Sequence, residues 1–234
     1  MAKKAKENNE GNDLLENPEV LAEQISKTEQ YLEDNKGLTF GLLAIIVLGI
    51  GGYFGYKYYN DNRNIVAQAE MFQAEYYFEQ DSLNLALNGD GNTLGFKDII
   101  EDYSGTESAN LASYYAGVAF LKQGDFKSAI LYLEDYSSSD LLIQSRAYSL
   151  IGDANMELED YSNAIKYYNK AADYNANEYF SPGYLMKAAL AYELSNDNAG
   201  AIKSYDRIIK DFGKSSEVQD AKKHKARLES TATN

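Results

Sequence analysis

From Leu38 to Tyr56 the chain runs for 19 residues without a charge, Leu-Thr-Phe-Gly-Leu-Leu-Ala-Ile-Ile-Val-Leu-Gly-Ile-Gly-Gly-Tyr-Phe-Gly-Tyr, and the run is closed by Lys36 and Lys57. At 1.5 Å per residue, a helix of that length nearly matches the hydrocarbon thickness of a bilayer. Ten of its residues are Leu, Ile, Val or Phe, and their insertion preferences sum to roughly a few kcal/mol. Five glycines, at 41, 49, 51, 52 and 55, weaken that sum slightly. The run has no polar face, which argues against a core helix of a soluble protein. It is too long for a cleavable signal peptide, lies behind too long a leader and is followed by no Ala-x-Ala site. The reading is a single transmembrane anchor over 37–59, followed by one domain over 60–234.

Orientation follows the Lys/Arg bias. Lys3, Lys4, Lys6, Lys27 and Lys36 precede the anchor, and Lys57 and Arg63 follow it before a gap to Lys97. The more basic side stays in the cytoplasm. The expectation is a single-pass bacterial inner-membrane protein with a cytoplasmic N-terminus and a periplasmic C-terminal domain. Tyr53, Tyr56, Tyr58 and Tyr59 would form the aromatic belt at the outer interface. Gly51 and Gly55 form a small-xxx-small pair suited to packing on another membrane helix. Ahead of the anchor, residues 1–16 are polar and read as a disordered cytoplasmic tail. Asn17-Pro18 then reads as a cap with Pro at the first helical position. Val20, Leu21, Ile25 and Leu32 share one face of a short amphipathic cytoplasmic helix over 17–36.

The net charge is −14 and the pI about 4.5. So acidic a chain does not neutralise phosphates, and no nucleic-acid partner is expected. Cysteine is absent, and the one histidine, His224, sits in a Lys-Lys-His-Lys tail. Thiol catalysis, disulfides, a Cys or His metal cluster and a Ser-His triad are therefore not expected. Asn88-Gly-Asp90-Gly-Asn92 resembles the start of a calcium loop. But Thr93 stands where that loop needs Gly, and Ile99 where it needs a bidentate Glu, so the segment reads as a turn. There is no P-loop, GxGxxG or G-x-S-x-G. No cofactor, no metal and no enzyme activity are expected.

The domain after the anchor repeats itself. Gly124-Asp125-Phe126-Lys-Ser-Ala129 aligns with Glu159-Asp160-Tyr161-Ser-Asn-Ala164 and with Asn196-Asp197-Asn198-Ala-Gly-Ala201, the alanines 35 and 37 residues apart. Each alanine is followed four residues on by a large side chain: Leu133, Tyr168, Tyr205. Each is preceded twelve residues back by a small one: Gly117, Gly152, Ala189. An Asp-aromatic pair recurs as Asp102-Tyr103, Asp135-Tyr136, Asp173-Tyr174 and Asp211-Phe212. The small residues let two helices approach, and the large one fills the space beside the contact. Asp125, Asp160 and Asp197 are placed to cap the second helix of each unit, and Ser181-Pro182 to open another helix.

Over residues 107–212 this pattern resembles the tetratricopeptide repeat, a helix-turn-helix unit of about 34 residues. The expected fold is all-α: one N-terminal transmembrane helix, then an α-solenoid of three to four helix pairs, then a terminal capping helix over Glu217 to Leu228. Ile65 to Tyr77 and Leu94 to Tyr103 would form a degenerate first unit. Most of the 21 tyrosines are expected to pack within or between helices. By the alignment, the inner face of the first helices carries Leu111, Tyr114, Val118 and Leu121 in the second unit. It carries Arg146, Asp153, Met156 and Glu157 in the third, and Met186, Leu190, Glu193 and Leu194 in the fourth. The apolar members (Leu111, Tyr114, Val118, Leu121, Met156, Met186, Leu190, Leu194) are the expected partner-binding residues, since Met and Leu suit irregular hydrophobic partners. The basic and Asn residues with which some tetratricopeptide proteins clamp a terminal carboxylate do not appear together in this pattern.

The whole arrangement resembles the YfgM-like family. Part of that likeness lies in Tyr31-Leu-Glu-Asp-Asn-Lys-Gly-Leu38, which runs straight into the apolar helix, and in Lys57-Tyr-Tyr-Asn after it. The resemblance implies an ancillary, chaperone-like subunit of the SecYEG translocon that meets secreted client polypeptides and a periplasmic prolyl isomerase. The rival readings are a scaffold for another envelope machine (outer-membrane assembly, division or gliding) and, if the domain faces inward, a cytoplasmic adaptor.

Overall fold

The computed structural model describes residues 22, 26 and 29–232. The chain divides into two compact units, residues 1–59 and 60–234, which are taken in turn. The expected tail over 1–16 and most of the expected amphipathic helix over 17–36 lie outside the described residues.

In the first unit, residues 29–34 are helical and Asn35 forms a turn. The Asn35 carbonyl accepts from Leu38 N and Thr39 N, both at 3.0 Å. The long helix α1, Lys36–Glu79, starts there and contributes to both units. Its most apolar window has a mean hydropathy of 2.0, and none of that window is buried. A core helix would show the opposite. α1 is thus long and apolar enough to cross a membrane.

In the second unit every regular element among the described residues is a helix. After the remainder of α1 come α2 (Leu83–Asn88), α3 (Phe96–Asp102), α4 (Glu107–Gln123), α5 (Phe126–Asp135), α6 (Leu141–Glu157), α7 (Tyr161–Tyr174), α8 (Ser181–Leu194), α9 (Asn198–Asp211) and α10 (Val218–Ala232). From α3 onward each helix packs on the next in the chain. Met71 and Ala74 of α1 share a core with Phe96 and Ile99 of α3 and with Ala112, Ala116 and Ala119 of α4. The short helix α2 adds Ala86 and Leu87 to that core; the sequence reading passed over it.

The repeat logic is visible atom by atom. Ala129, Ala164 and Ala201 are fully buried. A Cβ on Gly117 would lie 2.5 Å from Leu133 Cγ, and one on Gly152 would lie 2.6 Å from the Tyr168 ring. A left-handed residue, Gly124, Glu159 or Asn196 (φ 80°, 57° and 63°), follows each first helix within two residues. The aspartate that follows caps the second helix, accepting from Ser128 N, Asn163 N or Gly200 N. Asp140 caps α6 in the same manner. α8 does open at Ser181-Pro182, but the serine is not its cap. The Ser181 hydroxyl instead donates to Ala172 O of α7 at 2.9 Å and accepts from Asn177 N at 3.0 Å, tying two units together. Helix α10 closes the stack with Val218, Ala221 and Leu228 buried on Ile208 and Phe212. Of the tyrosines in residues 60–234, only Tyr76, Tyr174 and Tyr179 stay exposed. The others pack, as where Tyr115 stacks on Phe96 at 5.3 Å.

Candidate functional site

Between α6 and α8, the first helices of the third and fourth units, lies a cleft of about 520 Å³. Leu142, Ile143 and Leu150 of α6 and Phe180 and Tyr184 at the start of α8 supply its apolar walls. Its polar groups include Arg146, Ser149 and Asp153 on α6, Lys187 on α8, and Asn175 and Asn177 in the turn between α7 and α8. The alignment placed Arg146 and Asp153 on the inner face, and both line this cleft.

Asp153 is the hub at its floor. It accepts from Tyr168 OH of α7 at 2.7 Å, and both of its oxygens accept from Lys187 Nζ at 2.8 Å. Lys187 also donates to Ser149 Oγ at 3.3 Å. Burial pushes the Tyr168 phenol far above its ordinary range and the Asp153 carboxylate adds to it, so this hydroxyl remains a donor. The device recurs one unit later. Glu193 accepts from Tyr205 OH at 2.8 Å and from Arg227 of α10. Asp153 to Lys187, Glu193 to Arg227 and Asp173 to Arg207 are each separated by 34 residues. That figure is about one repeat length, so an acid in one helix meets a base roughly one unit further along the chain. The sequence reading missed these links, although the spacing was available to it.

Arg146 is different. Among the described residues it has no hydrogen-bond or ion-pair partner. Its guanidinium pulls down the phenols of Tyr114 and Tyr184, both of which burial holds above their ordinary value. Lys187 is neutralised by Asp153. The Asn177 amide is occupied by Asn175 O at 2.6 Å, and its carbonyl accepts from Tyr179 N and Phe180 N. The cleft therefore offers apolar walls and one unengaged cation, a combination that can take an apolar chain segment carrying a carboxylate.

None of the eight apolar residues expected to bind partners lines this cleft. Leu111 packs against the first core cluster, and Tyr114 and Val118 pack beside Leu133 and Ile151. Leu121 is half-buried. Met156 leans on Ala164 and Tyr168, and Met186 packs in the cluster of Leu185 and Tyr205. Leu190 and Leu194 are exposed, at 50% and 47%. Gly51 and Gly55 have no heavy atom within 4 Å of a built Cβ, leaving their face of α1 open.

The calcium-like loop is a turn. Asp90 Oδ1 accepts from Asn92 N, Thr93 N and Thr93 Oγ1, and Oδ2 accepts from Tyr77 OH at 2.8 Å. These bonds hold the exposed carboxyl well below its usual range. They pin the loop to α1 and use the lone pairs that a cation would need.

Two tetratricopeptide repeat family models match the chain, one over residues 145–178 and one over residues 184–215. The first covers most of α6 and all of α7, and the second most of α8 and all of α9, so the cleft lies between the two matched repeats. No curated protein matches the sequence. The fold is an all-α solenoid of tetratricopeptide type preceded by a long apolar helix. Such repeats are typically non-catalytic modules of protein–protein interaction, and protein partners follow from them.

Proposed function

We propose that this chain is a membrane-tethered, chaperone-like ancillary subunit of the protein-export translocon, akin to the YfgM-like family. In this reading residues 1–16 are a cytoplasmic tail, 17–36 a cytoplasmic amphipathic helix, 37–59 the anchor in the bacterial inner membrane and 60–234 a periplasmic repeat domain. Its partners are SecYEG, secreted polypeptides and a periplasmic prolyl isomerase. The observation that carries the reading is the α6–α8 cleft, whose apolar walls surround an unengaged Arg146, in a domain that follows an anchor-like helix. Leu190 and Leu194 add exposed apolar surface on α8. Affinity for any single client is weak, because an unfolded chain loses conformational freedom when it is ordered in so small a cleft.

The test is affinity purification from native membranes in mild detergent, with wild type and Arg146→Glu side by side. The expected result is enrichment of SecYEG subunits, the isomerase or exported chains by wild type, and their depletion with Arg146→Glu. A stoichiometric envelope complex that is indifferent to Arg146 would overturn the export reading in favour of a scaffold. Topology is tested separately: protease outside spheroplasts should digest the domain after Tyr59 and spare the first 36 residues.

A further inference from the structure

Past Lys57 the helix α1 carries two apolar stripes. One is buried in its own domain: Ala67, Met71 and Ala74. The other, Ile65, Ala69, Phe72 and Tyr76, lies on the opposite side and is exposed, with Ile65 at 65% and Phe72 at 69%. Bare Ile and Phe aligned along a helix mark an interaction surface. The bilayer does not account for it, because Asp61, Asn62, Arg63 and Asn64 separate the stripe from the apolar run.

We propose that this stripe is the seam of a parallel two-stranded coil with a second copy of this chain. The spacing is the first reason. Positions 62, 65, 69, 72 and 76 alternate steps of three and four, which is the a/d pattern of a heptad. Asn62, Ala69 and Tyr76 fall at a, and Ile65 and Phe72 at d. Ala69 lets the backbones approach between the two large d residues. Asn62 is a polar a residue of the kind that fixes register at some expense of stability. Counted back in the sequence, the same alternation passes through Tyr58 to Gly55 and Gly51.

The flanks are the second reason. In a parallel pair the g residue of one helix faces the following e residue of the other. Within the helix those pairs are Asp61 with Val66 and Gln68 with Gln73. No pair sets like charges against each other, although the chain carries −14 overall. Gln68 and Gln73 can hydrogen-bond across, and Val66, 49% exposed, widens the apolar contact. The parallel orientation rests on the anchoring proposed above, since two copies held in one bilayer by the same segment present this stripe at the same height.

The chain has no cysteine, which permits a clean test in the full-length protein in membranes. Ile65→Cys and Phe72→Cys at the seam are compared under mild oxidation with Glu70→Cys, an exposed b position. The expected result is a disulfide-linked homodimer at the two seam positions, several-fold above Glu70→Cys. Phe72→Asp should shift the detergent-solubilised chain from dimer to monomer in light scattering while its helical signal stays unchanged. Monomer at all three cysteine positions, equal linkage at Glu70, or a cross-linked product at Phe72 that contains a different protein or lipid would overturn the proposal. Fractionation of the same variants separates the two readings: membrane-bound protein without seam cross-links removes the dimer and leaves the anchor standing.

Discussion

Leu133 of α5 fills the space beside Gly117, and Tyr168 of α7 fills the space beside Gly152. The two repeat units meet the same steric demand, yet the consequences diverge. A buried Leu asks for nothing polar. A buried Tyr needs a partner for its hydroxyl, which brings in Asp153, and the carboxylate in turn brings in Lys187 from the next unit. Around Leu133 the inner-face residues Tyr114 and Val118 fold into the core. Around Tyr168 the corresponding face is polar and opens into the cleft that holds Arg146. One packing residue thus decides whether a carboxylate and a lysine are drawn in beside the contact.

The comparison can be broken at several depths, read by denaturant unfolding of the full chain in detergent. Leu133→Ala should be the most costly, about 2–5 kcal/mol, because the side chain is 1% exposed and leaves a cavity against Gly117. Ala164→Leu should cost about 1–3 kcal/mol by overpacking a fully buried helix contact in the third unit. An unchanged midpoint there would contradict the repeat register. Tyr168→Phe keeps the ring and removes the hydroxyl, and should cost about 0.5–1.5 kcal/mol. A double-mutant cycle with Lys187→Met should show coupling between the two, whereas a cycle of Leu133→Ala with Lys187→Met should be additive.

The smallest effect is a pH dependence. Burial raises the Glu193 carboxyl, but the hydrogen bonds from Arg227 and Tyr205 and the charge of Arg227 outweigh it, so the net shift is downward. A group with a lowered folded pKa contributes stability that is present above its unfolded value, about 4.3, and is lost as pH falls through the folded value. Stability should therefore decline on acidification below about pH 4.3, and Glu193→Gln should flatten part of that decline. Leu133 is apolar and takes no part in the Glu193 link, so Leu133→Ala should lower stability without removing the Glu193 part of that slope.

Much of the fold was legible in the sequence because it is local. The alanines at 129, 164 and 201, the small residues twelve before them and the capping aspartates each act within one helix pair, and each sits where the spacing placed it. The short helix α2 escaped because it has no counterpart in the later units, and the caps Thr106 and Asp140 because the repeated alanines mark only the second helix of each unit. Ser181-Pro182 marks a helix start in the sequence, but the bond from Ser181 to Ala172 exists only once α7 and α8 are packed. The cleft was half legible. Its floor residues Arg146 and Asp153 follow from the register, while Asn175, Asn177 and Phe180 come from a turn whose path the repeat does not dictate. The eight apolar inner-face residues show the limit most clearly. A face can be counted off in the sequence, but how far neighbouring helices cover Leu111 or Met156 is decided by packing between units.

The interaction role of the α6–α8 cleft is tested most directly by a photo-crosslinking residue at Phe180, on the cleft wall and 47% exposed, with Lys166 on the exposed surface of α7 as reference. In native membranes the Phe180 position should yield adducts with a translocon subunit, an exported chain or an isomerase, and Arg146→Glu should suppress them while the Lys166 position stays blank. Equal labelling at the two positions, or adducts at Phe180 that survive Arg146→Glu unchanged, would contradict a binding role for the cleft.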